Sequence, residues 1–65
     1  MKRNDLERKL RNYGWWFKRS GSKHDLWTNG YDDEAVPRHN DINEYLAKKI
    51  IQVAQRNPGK TKVDS

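Results

Sequence analysis

The feature that most constrains the fold is an apolar repeat in the second half of the chain. Between residues 41 and 56 apolar side chains recur every three or four positions, and Lys49 is the only polar member of the stripe. The stripe consists of Ile42, Tyr45, Leu46, Lys49, Ile50, Val53 and Ala54. We predict a helix over residues 41–56 that is capped by Asn40 or Asp41 and stopped by Asn57-Pro58-Gly59. Such a helix needs a second apolar surface to cover its stripe.

A shorter stretch near the start of the chain has the same period. Its stripe consists of Leu6, Leu10 and Tyr13. Asn4 and Glu7 have the spacing of a capping box, and Gly14 suits the left-handed position that ends a helix. We therefore predict a helix over residues 4–12.

The segment between the two helices has three strand patterns. Trp15–Arg19, His24–Thr28 and Tyr31–Val36 are rich in aromatic, β-branched or alternating residues. Small and polar residues separate the first two, and Asn29-Gly30 gives a strong hairpin signal after the second. We expect an antiparallel meander in which the acidic triplet 32–34 suits an edge strand.

The two adjacent tryptophans, Trp15 and Trp16, cannot both enter so small a core from one sheet face. We expect one of them to be half exposed or packed across the edge of a helix. Residues 1–57 are predicted to form one α+β domain, with the order helix, three antiparallel strands, helix and with both helices on one face of the sheet. Residues 58–65 are predicted to be a polar tail. A chain of 65 residues can build only a thin core.

Charge and composition narrow the choice of partners. The formal net charge of +5 favours a polyanionic partner, nucleic acid first, but an ordinary excess of lysine in a soluble domain explains the charge equally well. The absence of cysteine removes disulfides and thiolate chemistry. No apolar run approaches the roughly 20 residues that span a bilayer. We expect a cytoplasmic protein that does not contact membranes.

Most kinds of catalytic site need a cleft or a set of side chains that a chain this small does not provide. Paired carboxylates, a Ser-His-Asp triad or a metal site require a cleft, a deep scaffold or a compact ligand set, so we expect no metal and no cofactor. Cleavage of RNA requires less, because the ribose supplies the 2′-hydroxyl as nucleophile. Histidine suits the proton transfers near neutral pH, and cations suit the phosphate. Spacing alone favours a non-catalytic His24, which would serve only as a polar cap or a phosphate contact at the end of a hairpin.

Two short blocks carry a resemblance to a known family. Gly21-Ser22-Lys23-His24 opens the second strand, and Val36-Pro37-Arg38-His39 closes the third. Together with the run Asp41 to Ile51, they resemble the HicA family of bacterial toxin–antitoxin toxins over residues 1 to about 57. The resemblance implies a fold like the double-stranded-RNA-binding domain, cleavage of mRNA and a single catalytic histidine at the position of His24. It also implies neutralisation by a HicB-type antitoxin that covers the active surface.

The leading hypothesis is therefore a toxin that is a metal-independent endoribonuclease with His24 as general base. The residues expected to hold phosphates or shape the turn around it are Lys18, Arg19, Gly21, Ser22, Lys23 and Arg38. His39 is interpreted as structural. The alternatives are a non-catalytic RNA-binding module of the double-stranded-RNA-binding type and a protein-interaction domain. In a HicA-like toxin the acidic triplet 32–34 does not suit an RNA-binding surface, so we expect it to contact the antitoxin or to face solvent.

Overall fold

The computed structural model describes residues 1–59 and contains one sheet and two helices. The elements are α1 (Arg3–Asn12), β1 (Trp16–Ser20), β2 (His24–Thr28), β3 (Asp33–Pro37) and α2 (Glu44–Arg56). The sheet has the order β1-β2-β3 and is antiparallel throughout. The predicted α+β class and the α-β-β-β-α order are confirmed, and both are compatible with a fold like the double-stranded-RNA-binding domain. Residues 60–65 of the predicted tail lie outside the described part of the chain.

One hydrophobic core joins the helices to the sheet. Its buried members are Leu6, Leu10, Trp15, Trp27, Val36, Ile42, Ala47, Ile50 and Ala54. Val36 pairs with Asp25, two residues before Trp27, so Val36 and Trp27 lie on the same face of the sheet. Side chains from both helices share this core with that face. The expectation that both helices cover one face stays a prediction, which the shared core supports.

The three tryptophans differ in burial, as the small size of the core requires. Trp15 is buried, and its indole Nε1 donates a hydrogen bond of 2.8 Å to the carbonyl of Asn57. Trp16 keeps 40% of its surface exposed, which confirms that one of the two is half exposed. Trp27 is buried as well, with the guanidinium carbon of Arg11 5.2 Å from its ring centre. This cation–π contact joins α1 to β2.

The predicted cap of the first helix was wrong. α1 begins at Arg3 rather than Asn4, and Lys2 occupies the N-cap position without a side-chain cap bond. Glu7 does not form a capping box, because its carboxylate lies 3.6 Å from the Nε of Arg3. The end of the helix was predicted correctly, since Gly14 has φ +86° and stands just beyond it.

The predicted start of the second helix was also wrong. Asn43, rather than Asn40 or Asp41, is the N-cap of α2, and its side-chain oxygen accepts from the backbone N–H of Tyr45 at 2.8 Å. Ile42 is buried ahead of the helix. Tyr45 was placed in the apolar stripe but is 77% exposed. The buried face of α2 is formed by Ala47, Ile50 and Ala54, and Tyr45 lies on the opposite side of the helix.

The third strand is shorter at its start than predicted. Tyr31 and Asp32 belong to the turn, where the side-chain oxygen of Asn29 accepts from both of their backbone N–H groups at 2.8 and 2.6 Å. β3 then runs from Asp33 through Pro37. A proline fits there because β3 is an edge strand and one side of its backbone lacks a ladder partner.

Two glycines touch where α1 ends and α2 has just finished. A Cβ on Gly14 would lie 2.8 Å from the carbonyl oxygen of Gly59. The N–H of Gly59 donates to the carbonyl of Tyr13 at 2.7 Å. Gly59, within the predicted tail, is thus buried against the end of α1.

Candidate functional site

A surface pocket opens at the edge of the sheet where β2 begins and β3 ends. Its volume is about 380 Å³, and it is lined by Ser22, Lys23, His24, Arg38 and His39. The pairing of the strands explains this grouping, because His24 is directly opposite Pro37 in the β2–β3 register. The turn before β2 and the segment after β3 therefore meet at one place.

His24 stands exposed at the first position of β2. Within residues 1–59 its imidazole makes no hydrogen bond or ion pair with the protein, so both ring nitrogens are open to a ligand. Its backbone is fixed, since its carbonyl accepts from the N–H of Gly21 at 2.7 Å. A Cβ on Gly21 would approach that carbonyl oxygen to 2.9 Å. The close turn thus holds the backbone of His24 and leaves its side chain available.

Arg38 connects the segment after β3 to the turn and strand on the other side of the pocket. Its Nε lies 3.3 Å from a carboxylate oxygen of Asp25, and its Nη2 donates to the carbonyl of Gly21. The hydroxyl of Ser20 donates to the same carboxylate oxygen at 3.3 Å. Arg38 was predicted from the sequence to hold phosphate, and Asp25 was not predicted as a site residue. The structure shows Arg38 in the pocket wall and engaged with protein groups there.

His39 also lines the pocket and is exposed. The residues on either side of it are both held, Arg38 as described and Asn40 through its carbonyl, which accepts from the N–H of Arg3 at 2.9 Å. His39 was interpreted from the sequence as a structural residue. Its position two residues beyond Pro37 was visible in the sequence, but only the strand register shows that this places it beside His24 in one pocket.

Lys18 and Arg19 lie outside the pocket lining. Lys18 falls at an irregularity in the β1–β2 pairing, between Phe17 and Arg19, which is typical of a bulge. Its ammonium reaches across β2 to the carboxylate of Asp33 at 2.9 Å. Arg19 is exposed and pairs with Leu26. Of the predicted phosphate-binding side chains, the structure brings Ser22, Lys23 and Arg38 together with His24, and it leaves Lys18 and Arg19 along β1.

The acidic triplet is largely engaged within the fold. The hydrogen bond from Lys18 holds the pKa of Asp33 below its ordinary value. Burial raises the pKa of Glu34, and the charge of Lys49 opposes that rise. The backbone carbonyl of Asp32 accepts from the hydroxyl of Thr28 at 2.9 Å. The carboxylates of Asp33 and Glu34 on the edge strand thus interact with Lys18 and Lys49 of the same chain.

Residues 1–59 contain no group of three histidine, aspartate or glutamate side chains placed to hold a metal ion. A second pocket of about 200 Å³ is lined by Lys2, Arg3, Asn4 and Asn40. It is basic but has no side chain that exchanges a proton near neutral pH. The pocket that contains both histidines is therefore the candidate site.

The chain was also compared with models of known protein families. A family model described as the HicA toxin of bacterial toxin–antitoxin systems matches residues 3–55, which is well over half of the 65 residues. The chain belongs to the HicA toxin family. This HicA chain is thus the toxin of a toxin–antitoxin system, and an antitoxin is its partner. The resemblance seen in the two sequence blocks is confirmed.

No curated protein and no solved structure matches this HicA chain. In the described part of the HicA chain, neither helix has the length and apolar character required to cross a bilayer.

Proposed function

We propose that this HicA toxin is a metal-independent endoribonuclease that cleaves mRNA in the pocket that contains His24. His24 acts as general base and removes the proton of a ribose 2′-hydroxyl. The resulting oxygen attacks the adjacent phosphorus, and the bond from phosphorus to the 5′-oxygen of the next nucleotide breaks. The products are a 2′,3′-cyclic phosphate and a 5′-hydroxyl.

The observation that supports this proposal most is the state of His24. Its ring is exposed, has no partner within residues 1–59 and lines a pocket together with Lys23. A histidine that served as a structural cap would use at least one ring nitrogen on the protein itself. An imidazole open to solvent beside an ammonium instead suits proton transfer on a bound phosphodiester.

The side chains around His24 would contact different phosphates of the RNA. Lys23 and the hydroxyl of Ser22 line the pocket and would contact the scissile phosphate. Lys18 and Arg19 lie along β1 and would contact a neighbouring phosphate, with Lys18 weakened by its pairing with Asp33. Arg38 would act on the phosphate from the pocket wall while it keeps Gly21 and Asp25 in place.

The antitoxin would act by covering this pocket. A toxin with an open active surface harms the cell that makes it unless its partner blocks access to the substrate. We propose that the partner is of the HicB type and that both proteins work in the cytoplasm, where mRNA is translated. The proposal rests on the family, which implies an antitoxin, and on the exposure of the pocket.

The test is digestion of RNA by the purified toxin in the presence of EDTA, compared with the His24→Ala variant. We expect the wild-type toxin to cut and the variant to lose at least about 100-fold in rate, the usual contribution of a general base. The thermal midpoint stays unchanged because His24 is exposed. Equal cutting by both proteins contradicts the role of His24. Salt-sensitive binding without cutting by either protein supports the non-catalytic RNA-binding module.

A further inference from the structure

We infer that His39 is a second catalytic residue, the general acid that protonates the leaving 5′-oxygen. The inference rests on the proposed function and extends it. His24 and His39 are the only two histidines of the chain. His24 begins β2 and His39 follows the end of β3, yet both line the same pocket. A cleavage that begins with loss of a proton from one oxygen ends with gain of a proton by another, so two proton-transfer groups suit it better than one.

The fold holds His39 at this place from both sides. Arg38, directly before it, is joined to Asp25 and to the carbonyl of Gly21, which belongs to the turn that carries His24. Asn40, directly after it, accepts a hydrogen bond from the backbone of Arg3. A short segment fixed at both ends has little freedom to carry His39 away. Its imidazole, like that of His24, has no hydrogen-bond partner within residues 1–59 and is free to meet a substrate.

The other groups of the pocket are poor acids for this step. Arg38 and Lys23 carry a guanidinium and an ammonium, which as side-chain types suit the binding of phosphate rather than the transfer of a proton. The hydroxyl of Ser22 is a weak acid. An imidazolium both carries a proton and releases it near neutral pH, and His39 is the remaining group of the lining that can do so.

The step balances in atoms and charge. The neutral imidazole of His24 takes the 2′-hydroxyl proton as the bond from the 2′-oxygen to phosphorus forms. The imidazolium of His39 gives its proton to the 5′-oxygen as the bond from phosphorus to that oxygen breaks. His24 ends protonated and His39 neutral, and exchange with water restores both. No water, metal or redox partner is consumed.

The experiment compares two RNA oligonucleotides of one sequence, one with the natural 5′-oxygen at the scissile bond and one with sulfur in its place. A thiolate leaves readily without a proton, so the sulfur substrate removes the need for a general acid. We expect His39→Ala to cut the natural substrate at least about 100-fold more slowly than the wild type and to cut the sulfur substrate within a few-fold of it. We expect His24→Ala to lose both.

Lys23→Ala is the matched control, because it removes a cation of the same pocket that has no acid role. It lowers cleavage of both substrates by a similar factor. Equal losses on both substrates for His39→Ala, or no loss on either, overturn the inference while leaving the proposed function intact. Failure of the wild-type toxin to cut either substrate overturns the proposed function and this inference with it.

Discussion

The Nε of Arg38 lies 3.3 Å from the carboxylate of Asp25, and this pair joins the end of β3 to the strand that begins with His24. The side chain of Arg38 is 41% exposed, and exposed ion pairs contribute no more than about 1 kcal/mol to stability. The main effect of this ion pair is therefore on the geometry of the pocket rather than on stability. It sets the position of the segment that carries His39 relative to the turn that carries His24.

Asp25→Asn tests this geometric role. We expect a fall of about 10-fold in kcat with KM unchanged or lower, because misplacing a catalytic group costs rate while loss of a negative charge does not weaken RNA binding. The measurement is steady-state cleavage of a short RNA. Asp5→Asn is the control, since it removes a carboxylate that pairs with Arg8 at 3.2 Å on α1, away from the pocket lining. Equal kcat values for both variants contradict the prediction.

Lys23→Gln tests the phosphate contact. Loss of one contact to single-stranded RNA reduces the slope of log affinity against log salt by about 0.7. We expect this change in a His24→Ala background, in which the RNA stays intact during a binding titration. Lys48→Gln serves for comparison, because Lys48 is exposed on α2 and does not line the pocket. Slopes that change equally in the two variants would show that only net charge matters.

Gly14→Ala tests the glycine contact. The new Cβ would lie 2.8 Å from the carbonyl of Gly59, and φ is +86°. We expect a loss of about 1–3 kcal/mol in the free energy of unfolding. Gly30→Ala separates the two causes, since Gly30 also has positive φ, +101°, but its Cβ would meet only the Trp16 side chain at 3.4 Å. Thermal melts that rank Gly30→Ala as the more damaging change rule out the contact as the main cause.

Glu34→Gln tests the effect of burial on a carboxylate. Burial raises the pKa of Glu34, so its ionised form costs stability above that raised value. We expect the variant to melt at a higher temperature than the wild type at pH 7. The difference shrinks as pH falls through the raised pKa and vanishes below the ordinary value of 4.5, where both states of the wild type are protonated.

Asp33→Asn gives the opposite sign and serves as the control for that series. Lys18 lowers the pKa of Asp33, so its carboxylate stabilises the fold above its ordinary value of 3.8. The variant is expected to melt lower than the wild type at pH 7, and this deficit disappears as pH falls through the lowered pKa. A Glu34→Gln melting temperature below that of the wild type at pH 7 contradicts the account of Glu34.

The sequence predicted the elements that local pattern determines. The bounds of β2 were predicted correctly, since alternation and flanking turns define them, and Gly14 ended α1 as its freedom of φ indicated. The helix starts were not predictable in the same way. Asn40, Asp41 and Asn43 can all cap a helix, and Asn43 does so because Ile42 is buried in the core ahead of it.

The pocket could be predicted only in part for the same reason. Ser22, Lys23 and His24 are adjacent in sequence, so their grouping was visible. Their meeting with His39 depends on the pairing of His24 with Pro37, a contact between distant residues that no local pattern specifies. The ion pair between Lys18 and Asp33 joins the first strand to the third, and Lys18 lies at an irregularity in the strand pairing. Local sequence patterns do not specify such a contact.

The most direct test of the account is analysis of the RNA ends left by the purified toxin in EDTA. Attack by the 2′-hydroxyl with His24 as base produces a 2′,3′-cyclic phosphate and a 5′-hydroxyl, and a 2′-deoxy nucleotide at the cleavage site stops the reaction. Fragments with a 3′-hydroxyl and a 5′-phosphate, or unchanged cutting of the 2′-deoxy substrate, would mean that the ribose is not the nucleophile and that the mechanism assigned to His24 is wrong.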